Sequence, residues 1–151
     1  MKVLIVEDSE SKLASIEAVL KRAFPKTIVR HALSVRSAIA EMIADVPDMI
    51  IADMSLPTFD IENRERGGTP RPSGGIEVFE HLARFDLTVP VLVVTSYEAI
   101  TDGIQSLGLD ELSKRLKHEF PDCFLGTVYF DSAYSTWEGE ILDFLRLVLK
   151  D

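Results

Sequence analysis

Residues 47–57 read Pro47-Asp48-Met49-Ile50-Ile51-Ala52-Asp53-Met54-Ser55-Leu56-Pro57. Met49 to Ala52 is a short unbroken apolar run, the pattern of a strand buried on both faces. It ends on a carboxylate, Asp53, and a short turn then closes on Pro57. A bare acid at the end of an apolar strand is costly to desolvate unless something pairs with it. The expected partner is a divalent cation held jointly with Glu7 and Asp8.

The flanking sequence repeats this pattern. Lys2 to Val6 reads as a buried strand ending on Glu7-Asp8. A helix follows, capped by Ser9 or Ser11, with Leu13, Ile16, Val19, Leu20 and Phe24 on one face and Pro25 as its stop. Thr27 to His31 reads as a second, partly exposed strand. Ser34 caps a second helix with Val35, Ile39, Met42 and Ile43 inward. After the strand at 49–52, residues 58–73 change character: Gly67, Gly68, Pro70 and Pro72 stand among Arg64, Glu65, Arg66 and Arg71. This is loop chemistry, and it exceeds the roughly two to six residues usual for such a connection. A third helix is expected from about Ile76, with Ile76, Phe79, Leu82 and Ala83 buried. Val89 to Val94 is the clearest core strand and ends on Thr95-Ser96. Tyr97 to Leu107 reads as a loose or short helix, broken by Gly103 and Gly108. A better helix follows at about Asp110–His118 with Leu112 and Leu116 inward. Phe124 to Phe130 reads as a fifth strand. Ser135 or Thr136 caps a last helix with Trp137, Ile141, Phe144, Leu145 and Val148 on one face.

Strand and helix alternate five times, which implies a parallel sheet covered by helices on both faces. With 151 residues and 46% apolar side chains, one domain over 1–151 with a long inserted loop at about 58–73 is the expectation. The net charge of −9 and pI near 4.8 disfavour direct nucleic-acid binding, because phosphate backbones would be repelled. No stretch approaches the roughly 18 uncharged apolar residues of a membrane span, and the start meets acids too soon for a signal peptide. Cys123 is the only cysteine, so an internal disulfide and a cysteine metal cluster are excluded. A cytoplasmic protein is expected.

In an open parallel sheet, ligands bind beyond the carboxyl ends of the strands. Those ends carry Glu7-Asp8, Asp53 and Thr95-Ser96. If the three strands are neighbours, three carboxylates and a hydroxyl converge. Clustered carboxylates need a counter-charge, and oxygen ligands with room for water and phosphate suit Mg²⁺. An oxygen of Asp53 would attack phosphorus in line to give an aspartyl-phosphate. The Thr95 hydroxyl and the Ser96 N–H would donate to the phosphoryl oxygens, and Ser55 would offer its backbone carbonyl to the metal.

With Lys2 to Asp8, Pro47 to Pro57, Gly75-Ile76-Glu77-Val78-Phe79 and Pro90 to Ser96 in these places, the sequence resembles a response-regulator receiver domain. The resemblance implies an α/β fold of flavodoxin type, a five-stranded parallel sheet of order 2-1-3-4-5. It implies phosphoryl transfer from a histidine kinase or histidine phosphotransfer protein to Asp53, with Mg²⁺ bound. The domain would be a switch acting on a downstream protein target rather than a turnover enzyme, with at most slow self-dephosphorylation. Glu7 and Asp8 match the family's acidic pair and Thr95 its switch hydroxyl. The docking face would lie on helix four, strand five and helix five. The last periodic helix runs almost to Asp151, so signalling by contact is expected.

Two departures stand out. The family usually carries a lysine followed by proline at the end of strand five, and here the place holds Phe130-Asp131. Losing that positive donor weakens phosphorylation or its coupling to shape change. The long loop after Pro57 offers Arg64, Arg66 or Arg71 as replacements for the missing charge. Against the phosphoacceptor stands a pseudo-receiver, a protein-binding module of the same fold that is never phosphorylated; Phe130 favours it, while Glu7, Asp8, Asp53 and Thr95 oppose it. Plainer roles also exist: Glu7 and Asp8 as first-turn helix acids, Asp53 and Thr95 as caps. An aspartate-nucleophile phosphohydrolase would need a second acid two residues on, where Ser55 stands. Nucleotide-binding loops of the GxxxxGK[ST] or GxGxxG kind are absent.

Overall fold

The computed structural model describes residues 1–57, 74–96, 99–102, 105–131 and 133–148, with backbone alone over 99–107. The elements run β1 (Lys2–Val6), α1 (Glu10–Ala23), β2 (Ile28–Ala32), α2 (Val35–Ala44), β3 (Met49–Ala52), α3 (Gly74–Arg84), β4 (Val91–Thr95), β5 (Ala99–Asp102), β6 (Gln105–Gly108), α4 (Leu109–Glu119), β7 (Phe124–Tyr129) and α5 (Thr136–Val148). Five strands form one parallel sheet in the order β2-β1-β3-β4-β7. In the order in which the five strands follow one another this is 2-1-3-4-5, the order that the resemblance implies, in the parallel sheet that the alternation implies.

The strand sequences explain the layering. Successive side chains of a strand point to opposite faces, and β1, β3 and β4 are apolar at nearly every position. Leu4, Val6, Ile50, Ala52, Val91 and Val93 therefore meet α2, α3 and α4 on one face. Val3, Ile5, Met49, Ile51, Leu92 and Val94 meet α1 and α5 on the other. Each of these valines, leucines, isoleucines and the methionine stabilises the fold by about 1.5–3 kcal/mol on burial, so the central strands are pinned from both sides. The chain leaves β1 for β2 on one side and reaches β3 on the other, and that reversal opens a crevice at the carboxyl ends of β1 and β3.

Ser9 caps α1 by accepting from the Lys12 N–H, and Ser34 and Ser37 form a reciprocal capping box at α2. Three expectations are corrected. Residues 99–102 and 105–108 are not helical: β5 and β6 form an antiparallel pair with Asp102 opposite Gln105. In the sequence Asp102-Gly103 is a hairpin signal rather than a helix interruption. Ile43 is 61% exposed, because the inward stripe of α2 runs through Val35, Ala38 and Met42. Ala83 is also exposed, one position past the buried Leu82. The inserted loop at 58–73, with Arg64, Arg66 and Arg71, lies outside the described residues.

Candidate functional site

The crevice is built by register. Val6 of β1 pairs with Ala52 of β3, so the next residues, Glu7 and Asp53, come side by side. The Asp53 N–H donates to the Val6 carbonyl at 3.1 Å and the Glu7 N–H to the Ala32 carbonyl at 3.0 Å, which extends the ladder one residue past each strand. The carboxylates of Glu7, Asp8 and Asp53 each offer an oxygen within 4.8 Å of the others. Glu7 and Asp53 are buried, whereas Asp8 is half-buried at the mouth. Ser55 is buried two residues beyond Asp53. Thr95 closes β4 and is fully buried, its carbonyl accepting the Phe130 N–H at 2.8 Å; Ser96, next along, is exposed.

The first turn of α3 lies against the Asp53 turn, with the Gly75 N–H donating to the Met54 carbonyl at 2.8 Å. Asp53 Oδ1 accepts from the Met54 N–H at 2.7 Å and Glu7 Oε2 from the Ser9 N–H at 3.0 Å, so each buried acid is oriented by a backbone donor.

Lys12, on the first turn of α1, also enters the site. It is only 5% exposed. Its Nζ lies 2.7 Å from Glu7 Oε1 and 3.2 Å from Asp53 Oδ2, and donates to the Val94 carbonyl at 2.8 Å. The sequence reading passed over it, because a lysine in a first helical turn is ordinarily solvated. One signal was present: Lys12, Ile16, Val19 and Leu20 share a stripe at helical spacing, and a lysine in that stripe is carried into the interior. The Phe130 ring stands beneath it, centroid 5.7 Å from Nζ, and packs at 4.7 Å on the ring of Trp137. An aromatic ring just past the end of β7 thus lies under a lysine from α1.

Among the described residues, three carboxyl groups stand against one ammonium, an excess of acid that a divalent cation would offset. Burial is the main reason that the Glu7 carboxyl is pushed up to about 7; Lys12 opposes this and the Asp53 charge adds to it. Glu7 Oε1 is buried, and among the described residues its close partner is the Lys12 ammonium at 2.7 Å. A buried carboxylate oxygen with an unused lone pair, beside two further acids, fits a hard cation with oxygen ligands.

This fold and this set of strand-end acids define a receiver. The model of the response regulator receiver domain matches residues 3–119, and the chain belongs to that family. The chain is 24% identical over 144 residues to the Detocs response regulatory protein DtcB of Enterobacter cloacae, covering 94% of this chain and 96% of that protein. Two solved structures share the fold. The Mn²⁺-bound form of response regulator Rcp1 has a TM-score of 0.67 at 16% identity, covering 99% of this chain and 94% of that one. The phosphorylated cyanobacterial phytochrome response regulator RcpA has a TM-score of 0.66 at 18% identity, with the same coverage. Membership of this family is consistent with two-component signalling. Among the described residues, no helix is long and apolar enough to cross a membrane.

Proposed function

We propose that the chain is a phosphoacceptor switch in a two-component phosphorelay, with Asp53 as the acceptor. The observation that carries this reading is the buried Asp53 carboxylate at the end of β3, with oxygens of Glu7 and Asp8 in the same 4.8 Å cluster. In the reaction an Asp53 oxygen forms the bond to phosphorus as the P–N bond of a donor phosphohistidine breaks, the electron pair leaving on the imidazole, which takes up a proton. Glu7, Asp8, Asp53 and the Ser55 carbonyl would hold Mg²⁺, which supplies charge neutralisation for the entering phosphoryl. The Thr95 hydroxyl and the Ser96 N–H bind phosphoryl oxygens. The donor is a histidine kinase or phosphotransfer protein, and the output is contact with a downstream protein, through α4, β7 and α5. The domain turns over at most by slow self-dephosphorylation.

Phe130 supports the rival reading, a pseudo-receiver that binds protein without being phosphorylated. The two separate in one experiment. With Mg²⁺ and acetyl phosphate, the phosphoacceptor gains the mass of one phosphoryl, and Asp53→Ala does not. A chain that gains no mass under these conditions or with a phosphorylated histidine donor is the pseudo-receiver.

A further inference from the structure

We propose that Lys12, reaching in from α1, is the cation that holds the phosphoryl group on Asp53, in place of a lysine at the end of β7. The proposal rests on the phosphoacceptor reading above. Among the described residues, Lys12 is the ammonium in contact with the Asp53 carboxylate, 3.2 Å from Oδ2. Its other contacts aim it: Glu7 Oε1 at 2.7 Å and the Val94 carbonyl at 2.8 Å fix Nζ between β1, β3 and β4. The Phe130 ring closes the space below, and its own position is set by Trp137. An ammonium with two of its contacts on strand-end atoms has little freedom to leave, so it is already placed before charge arrives, which is what makes such a donor effective.

Phosphorylation changes what Lys12 faces. Before transfer it pairs with a carboxylate of one negative charge. Afterwards one Asp53 oxygen is bonded to phosphorus and the dianionic phosphoryl oxygens lie beyond it. The ammonium keeps its three protons and exchanges a carboxylate partner for a phosphoryl one. Because Lys12 belongs to α1, that exchange pulls on the first turn of α1 and on the Phe130–Trp137 pair beneath it. The α1–α5 side of the domain therefore feels the modification directly.

The arrangement also accounts for Phe130. A lysine at 130 would bring a second ammonium next to the first, and two like charges at one buried site repel. An aromatic ring there gives the Lys12 charge a favourable face instead.

The test uses the whole chain, with Mg²⁺ and either acetyl phosphate or beryllofluoride as probe. Lys12→Met keeps the length of the stem without the charge. It is expected to bind Mg²⁺ at least as well as the parent, since a neighbouring positive charge is gone. Its phosphorylation rate should fall on the order of a hundredfold, the usual cost of one preorganised donor. The double variant Lys12→Met/Phe130→Lys, which returns the charge to the strand end, should recover most of the loss. A triple variant with Arg64, Arg66 and Arg71 changed to Gln should react like the parent. A measurement on the parent alone needs no variant to fold: the ¹⁵Nζ resonance of Lys12 should move when beryllofluoride joins Mg²⁺, beyond any shift with Mg²⁺ alone. The proposal is overturned if Lys12→Met is phosphorylated at the parent's rate, if the arginine variant carries the loss instead, or if the Nζ resonance does not respond. A parent that itself takes up no phosphoryl overturns the phosphoacceptor reading and this proposal together, whereas the first three outcomes overturn only the role of Lys12.

Discussion

A side chain at Gly75 would collide with Asp53: a Cβ there would stand 2.3 Å from the Asp53 carbonyl oxygen, and 2.7 Å from Met54 Cα. The first turn of α3 is therefore seated on the backbone of the Asp53 turn, and only a residue without a Cβ lets it approach. Gly74 is in the same situation, its Cβ position lying 2.4 Å from the Leu56 carbonyl oxygen. The pair opens α3, so these two glycines seat its first turn against residues 53–56.

Gly75→Ala should destabilise the domain even though alanine favours helix. The propensity gain is about 1 kcal/mol. The clash is with backbone, which cannot swing aside, and overpacking of that kind costs about 1–3 kcal/mol. A net loss is expected, read as a lower urea midpoint with an unchanged slope. Mg²⁺ affinity should weaken as well, because the turn that must yield carries Asp53.

Gly139→Ala is predicted to do the opposite. Gly139 lies inside α5, is exposed, and has nothing within 4 Å of a Cβ. No clash opposes the propensity term, so stability should rise by about 0.5–1 kcal/mol. The same urea titration measures it, and phosphorylation should be unaffected.

These two glycines also show what was legible in the sequence. Gly74-Gly75 reads as the end of a loop, and that is right locally; what it packs against depends on a sheet assembled from distant segments. The strands were legible because β1, β3 and β4 must be apolar on both faces, and the acids because each interrupts such a run at its end. Lys12 was obscured because helical periodicity is read by collecting apolar residues, and a buried lysine in the stripe counts against the pattern rather than for it. The β5–β6 pair was misread because its strands are short and alternate poorly, so glycine spacing outweighed the hairpin signal at Asp102-Gly103.

Adding Mg²⁺ should raise the melting temperature, because a cation that binds only the folded cluster stabilises it by mass action. At a concentration a hundred times Kd the gain is about 2.7 kcal/mol. EDTA should reverse it. Asp8→Asn removes the half-buried acid at the mouth without disturbing the Glu7–Lys12–Asp53 contacts. It should fold normally and lose most of the Mg²⁺-dependent shift. A variant whose melting temperature still rises with Mg²⁺ as the parent's does would place the cation elsewhere.

Cys123 is expected to be an unreactive thiol in the folded chain. It is buried, and its S–H donates to the Leu87 carbonyl at 3.3 Å. Burial first, and the neighbouring Asp122 charge second, hold its pKa above the ordinary thiol value, against a smaller pull downward from a backbone hydrogen bond at Val89. The thiolate is the reactive form, so at pH 8 a smaller fraction is reactive than in an unfolded chain. Labelling by Ellman's reagent should be slow in buffer and rapid in urea, and the native rate should climb with pH beyond the range where a free cysteine has levelled off. The linkage has a matching sign. A raised thiol pKa means that the folded state keeps its proton longer than the unfolded one. This contribution to stability is therefore full below the unfolded thiol's pKa and is lost as pH rises through the folded value. Cys123→Ser should remove the labelling, and a urea titration repeated at two alkaline pH values should show a smaller decline in stability for that variant than for the parent.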